Sequence, residues 1–279
     1  MIGVALALAT ALSYGLSDFV GGVASRRVAA IRVVLVSYPV ALVLLSGAAA
    51  VVGGRISSSA VLWGVLCGIS QGFGVWWFYA ALAGGPIAVV SPLTAVLVAA
   101  LPVGVGVALG ERPGPVAAAG IVVAMVAVVL VSRQREDGAA RRLTPAVAWL
   151  TVGAGLAFGL NYVLIGQAPA DAGLWPLVFA RSAATLLVVG IAVAGSQLRA
   201  PTGDPLRLAL VAGLLDTAAN VCMLLALQAS LLSLAGVLMS LYPAATVVLA
   251  LAVLRERVSR WQGIGMVLAL AAVALIAAG

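Results

Sequence analysis

The 279-residue sequence contains no histidine and no lysine. Without histidine there is no Ser/His/Asp triad, no H-E-x-x-H zinc site and no imidazole proton shuttle. Without lysine there is no Walker A lysine for a nucleotide phosphate and no Schiff base for pyridoxal phosphate. Charge of either sign is scarce, since fifteen arginines and eight acids make up 8% of the chain while 64% is hydrophobic. A mean hydropathy of +1.24 excludes an ordinary soluble domain, because such a domain must cover its surface and devotes about a quarter of its residues to charge. The chain is therefore expected to be an integral membrane protein. Only two cysteines occur, Cys67 and Cys222, each inside an apolar run and without metal-ligand spacing. They read as small buried apolar residues, and neither a metal nor a cofactor is expected. The formal charge of +7 comes from arginines clustered in short loops, with no basic helix or aromatic-basic patch, so nucleic acid is excluded as a partner.

What is abundant is uncharged chain. A hydrocarbon core of roughly 30 Å needs about 20 helical residues, and ten runs approach that length: 2–24, 33–53, 60–82, 86–109, 116–131, 146–165, 174–194, 206–227, 233–254 and 263–278. They lack the alternating polarity of membrane strands, so the fold class is all-α and polytopic, with ten transmembrane helices of which the fifth and tenth are short. The first run begins at residue 2 with no basic segment before it and no small-residue cleavage site after it, which reads as a retained helix and not a signal peptide.

The chain repeats itself. A shift of 145 lays GERPGPVAAAGIVVAMVAVVLV (110–131) over RERVSRWQGIGMVLALAAVALI (255–276), matching Glu111 with Glu256, Arg112 with Arg257 and Gly120 with Gly265. A shift of 144 lays SYGLSDFVGG (13–22) over AFGLNYVLIG (157–166), and at 145 Gly68 meets Gly213 and Gln71 meets Asp216. The expected organisation is a five-helix repeat over 1–132, a connecting loop over 133–145 and a second five-helix repeat over 146–279. An odd number of helices per half inverts the second half relative to the first. Inverted repeats are the mark of alternating-access transporters, whose substrate site lies near the bilayer midplane between the halves.

On these residues the sequence resembles the drug/metabolite transporter superfamily, in its ten-helix EamA-type branch. The resemblance covers the whole chain and rests on the doubled Glu-Arg motif (LGERP, 109–113, and LRERV, 254–258), the glycines at 120 and 265, Pro243 thirteen residues before Glu256, and Arg181 in the second helix of the second half. The first half departs from this pattern: Pro102 and Pro92 lie nine and nineteen residues before Glu111, and Ser37 stands where Arg181 has its counterpart. The resemblance implies a transporter of small metabolites and not an enzyme. Twelve of the arginines (26, 27, 32, 133, 135, 141, 142, 199, 207, 255, 257 and 260) fall on loops of one side and Arg55 and Arg112 on the other. The positive-inside rule then places both termini outside the cell, whereas the resemblance favours both termini in the cytoplasm.

Ionised groups inside a spanning helix cost a few kcal/mol and so face a cavity or a partner. Three are expected there: Asp18 in the first helix, Arg181 in the seventh and Asp216 in the eighth. Asp18 shares a face with Tyr14, Ser17 and Gly21, and Asn220 follows Asp216 by one turn. Asn161 and Tyr162 match Ser17 and Asp18 in the repeat, which suggests that the first and sixth helices face each other. Gln71 matches Asp216, and on the same helix Trp77, near the middle of its run, is a candidate to close the cavity, to stack on a cation or to pack against lipid. Asp18 could instead cap the helix end or snorkel there, and Asp216 could make a structural hydrogen bond to a neighbouring backbone. Arg181 is open to two readings, the counter-charge of an aspartate or the ligand of a substrate carboxylate. Glu111 and Glu256 read as membrane-edge loop structure or end caps. The functional expectation is proton-coupled export of an amino-acid-like or cationic metabolite across the inner (cell) membrane, with a proton exchanged at Asp18 or Asp216. The competing expectations are a facilitated exchanger or importer and, remotely, a membrane-embedded enzyme on a lipid-linked substrate, which the two separated intramembrane acids disfavour. A monomer and a homodimer are equally open.

Overall fold

The computed structural model describes residues 2–25, 27–84, 87–132, 144–254 and 259–278, and their regular structure is helical throughout. The first half contains α1 (Ile2–Ser25), α2 (Ala30–Val52), α3 (Ser58–Gly84), α4 (Ile87–Ala108) and α5 (Pro115–Ser132). The second contains α6 (Pro145–Gly166), α7 (Trp175–Ala194), α8 (Asp204–Ala229), the pair α9 (Leu232–Met239) and α10 (Tyr242–Leu254), and α11 (Arg260–Ala278). Six of these, α1, α2, α3, α6, α7 and α8, are each long and apolar enough to cross a bilayer alone. At 18 and 19 residues, α5 and α11 are shorter, as their sequences anticipate. The fold is that of ten spans in two inverted five-helix repeats. Most of the connecting loop, 133–143, lies outside the described residues, as do Glu256 and its neighbours at 255–258.

The start signals are local. Thr144 caps α6 by accepting from the Val147 amide at 3.3 Å, with Pro145 in the first turn, where the missing proline N–H is not needed. Prolines also open α7 (Pro176) and α8 (Pro205). One span differs from its sequence reading. The ninth run, expected as a single helix over 233–254, is broken at Ser240–Leu241 into α9 and α10. Pro243 has no amide hydrogen to donate to the Met239 carbonyl, so a continuous helix would lose a bond at that level. Instead Ser240 closes α9 by donating through its Oγ to the Val237 carbonyl at 2.7 Å.

The helix interfaces obey the inverted symmetry. The most extensive ones join α1 to α8 and, equivalently, α6 to α3, while α5 packs on α11 across the pseudo-twofold axis. Likewise α7 packs on α3 as α2 packs on α8. Small residues make this possible, as expected where no water is available to drive apolar association. Gly68 of α3 lies against the backbone carbonyl of Ala180 in α7, and its repeat-mate Gly213 of α8 lies against the backbone of Ser37 in α2. A side chain at either position would push the two helices apart.

Candidate functional site

The interior polar residues converge on one region between the halves. Arg181 is only 1% exposed, and its Nη2 donates to Asp216 Oδ2 at 2.5 Å. Its guanidinium carbon lies 4.3 Å from the centre of the Tyr38 ring, contributed by α2, an arrangement in which the ring face stabilises the cation. Of the two expectations for Arg181, the geometry realises the counter-charge: it pairs with Asp216. Yet its second terminal nitrogen, Nη1, is buried without a hydrogen-bond partner among the described residues. A buried guanidinium donor left unpaired is costly, and it is the kind of group to which a ligand oxygen binds.

Asp216 is held from below by its own helix. Asn220, one turn on, is buried and donates through Nδ2 to the Asp216 carbonyl at 2.7 Å. Asp18 of α1 is within electrostatic reach of Asp216 and acts in turn on the hydroxyls of Tyr162 in α6 and Tyr242 in α10. These partners come from three other helices, so Asp18 is on the inward side of α1. The residue is nonetheless exposed and has no ion-pair partner among the described residues. Among the described residues the spanning helices therefore carry one ionisable carboxyl in excess of guanidinium groups: Asp216 is offset by Arg181, and Asp18 is not.

The remaining face of α1 is fastened to α8. Ser17 donates to the Ala212 carbonyl at 3.0 Å, and the Tyr14 hydroxyl lies 3.6 Å from the Met223 sulfur. Tyr14 also meets Tyr242 edge-on, with ring centres 6.5 Å apart. Across the axis the equivalent α6–α3 seam is fastened by Asn161, which is buried and donates through Nδ2 to the Cys67 carbonyl at 3.3 Å, with the Cys67 sulfur 2.9 Å away. Ser70 donates to the Ala157 carbonyl at 2.7 Å on the same seam. Asp18 and Tyr162 thus interact across the site, but the principal packing partners of α1 and α6 are α8 and α3 and not each other.

Two of the sequence candidates stand apart from this cluster. Trp77 packs on Phe73, with ring centres 5.2 Å apart, and its indole lies over Gly153 of α6. It fills the α3–α6 seam. Gln71 is half-buried one turn beyond Cys67 on α3, and no hydrogen bond is recorded for it among the described residues. In the other direction, Tyr38, Cys67 and Tyr242 belong to the cluster; of these the sequence points only to Cys67, and to it as a buried apolar residue and not as part of a site. Tyr242, immediately before a proline inside an apolar run, was the one with a readable signal. Among the described residues no three His, Cys, Asp or Glu side chains are grouped to hold a metal ion.

The sequence profile of the EamA-like transporter family matches the chain twice, over residues 1–133 and 145–278. No match was found among curated proteins. A solved protein crystal structure superposes with a TM-score of 0.79 at 18% sequence identity, covering 98% of this chain and 95% of its own, which establishes the similarity of fold.

Proposed function

The chain belongs to the EamA-like transporter family, and from that premise we propose that it exports an amino-acid-like or cationic metabolite across the cell (inner) membrane by alternating access, in exchange for protons. It is a membrane transporter of the drug/metabolite type; the substrate class, direction and coupling are our reading. One observation supports the substrate class and the coupling: among the described residues the spanning helices hold two carboxylates, Asp18 and Asp216, and one guanidinium, Arg181, which pairs with Asp216 and leaves Asp18 exposed without an ion-pair partner. A site with excess negative charge in a low-dielectric surround attracts a cationic group strongly. A proton and a substrate ammonium then compete for Asp18, which is the requirement for exchange. The unpaired Arg181 Nη1 offers a donor for a substrate oxygen, so a zwitterion can use both ends of the site. Tyr14, Tyr162 and Tyr242 supply aromatic walls suited to an organic cation.

Purified protein in proteoliposomes, tested for counterflow with labelled amino acids and with small organic cations, checks this reading. Asp18→Asn is expected to insert and fold normally, to bind substrate at least tenfold more weakly, and to lose the dependence of counterflow on a pH gradient. If Asp18→Asn transports with unchanged pH dependence, coupling through Asp18 is wrong and facilitated exchange takes its place. If no labelled compound moves with the wild-type protein, the substrate class is wrong.

A further inference from the structure

Helix α9 begins without a cap of its own. Its N-cap residue, Leu231, has the extended backbone usual at that position (φ −61°, ψ 140°), but its side chain accepts no hydrogen bond. Serine, threonine, aspartate and asparagine are favoured there because they do. Ser233, within the first turn, is fully buried, and its hydroxyl makes no hydrogen bond among the described residues. The missing acceptor comes from the other half of the protein. Glu111, at the turn between α4 and α5, brings Oε1 to 2.6 Å from the Leu232 amide and Oε2 to 2.9 Å from the Ser233 amide. Both carboxylate oxygens are used on two of the otherwise orphaned amides, and the negative charge sits on the positive end of the helix.

The approach is built for this contact. The Glu111 amide donates back to the Gly106 carbonyl at 2.9 Å, and the turn is closed by Gly110 at φ +94°. Gly106 has no side chain, and one there would strike the Glu111 carboxylate. One turn earlier, the ring of Pro102 lies against Gly236 of α9. The end of α4 and the start of α9 are thus drawn together at the arginine-poor face, which also carries Arg112, and they belong to opposite halves.

We propose that Glu111 is a latch that holds the end of α4 against the start of α9 at this face, a positioning residue for transport and not a local helix cap. A cap needed only for the stability of α9 is supplied most simply by the residue before it, where Leu231 stands instead. Supplied from the other repeat, the same bonds make the first turn of α9 complete only when the end of α4 and the start of α9 are together. When they part, water replaces the carboxylate on both amides, so the bonds exchange without leaving a buried orphan. This rests on the alternating-access reading given above.

The test separates a latch from a cap. Spin labels at Val107→Cys and Gln228→Cys, both exposed positions at this face, with Cys67 and Cys222 replaced by serine, report the distance between the end of α4 and the α8–α9 turn in nanodiscs. Hydrogen exchange reports the amides of 230–236. Glu111→Ala is expected to accelerate exchange of those amides at least tenfold and to reduce the short-distance population at least threefold. Adding Leu231→Asp, which gives α9 a cap of its own, is expected to restore amide protection but not the short distance. Restoration of both by Leu231→Asp would mean that Glu111 is a cap only. An unchanged distance distribution in Glu111→Ala would overturn the latch outright. Counterflow is measured separately, so a protein that latches but moves no substrate sinks the functional reading and leaves the latch standing.

Discussion

Removing Arg181 and Asp216 together should cost far less than the sum of the losses from removing each alone. Arg181 is 1% exposed and Asp216 15%, and they meet at 2.5 Å. Deleting one partner of a buried pair leaves the other charge uncompensated, at a cost of about 3–5 kcal/mol. Arg181→Met also gives up the Tyr38 contact at 4.3 Å, adding about 1 kcal/mol. Asp216→Asn keeps an oxygen within reach of the guanidinium and so should lose somewhat less, about 3 kcal/mol. The double variant buries no charge at this place and should lie close to the less damaging single variant, which implies a coupling energy of about 4–6 kcal/mol. Against a total stability of roughly 5–15 kcal/mol, Arg181→Met alone should visibly lower the yield of folded protein. Reversible unfolding in mixed micelles, run on the wild type, both single variants and the double, measures the cycle. Losses that add to within about 0.5 kcal/mol would refute the pairing. Transport by the double variant gives a second reading: if stability returns and counterflow does not, the pair serves the site as well as the fold.

Two further outcomes follow from the packing. Gly68→Ala should be destabilising by about 1–3 kcal/mol because its methyl group would collide with the Ala180 carbonyl, whereas Gly47→Ala, with open space around it, should stabilise by about 0.5–1 kcal/mol; the same micelle titration compares them. Trp77→Ala should act on stability, by about 3 kcal/mol for this half-buried ring through the lost contacts with Phe73 and Gly153, and leave substrate affinity within twofold of wild type. A selective loss of affinity in counterflow competition would instead put Trp77 in the site.

The sequence by itself determined the membrane location, the helical class, the number of spans and the inverted duplication. Each of these is carried by local properties: the length of uncharged runs, the absence of alternation, and the doubled Glu-Arg motif with its following glycine. It also isolated Asp18, Arg181 and Asp216, because an ionised residue stands out against apolar chain wherever its partner lies. Their pairing was decided only by the tertiary structure, which brought Arg181 onto Asp216, 35 residues away, and left Asp18 unpaired. In water an apolar stripe announces which side of a helix is buried, but in lipid both the packed and the exposed sides are apolar, so periodicity does not say which way a residue faces. Trp77 and Tyr38 show the consequence. Both are aromatic residues in apolar runs, and only the packing distinguishes the one that fills the α3–α6 seam from the one that lies under the guanidinium. Glu111 shows it at greater range. Its motif was legible as a membrane-edge turn, but the amides that it satisfies belong to the other repeat, 121 and 122 residues further along the chain, and no local pattern announces a helix whose cap is supplied from so far away.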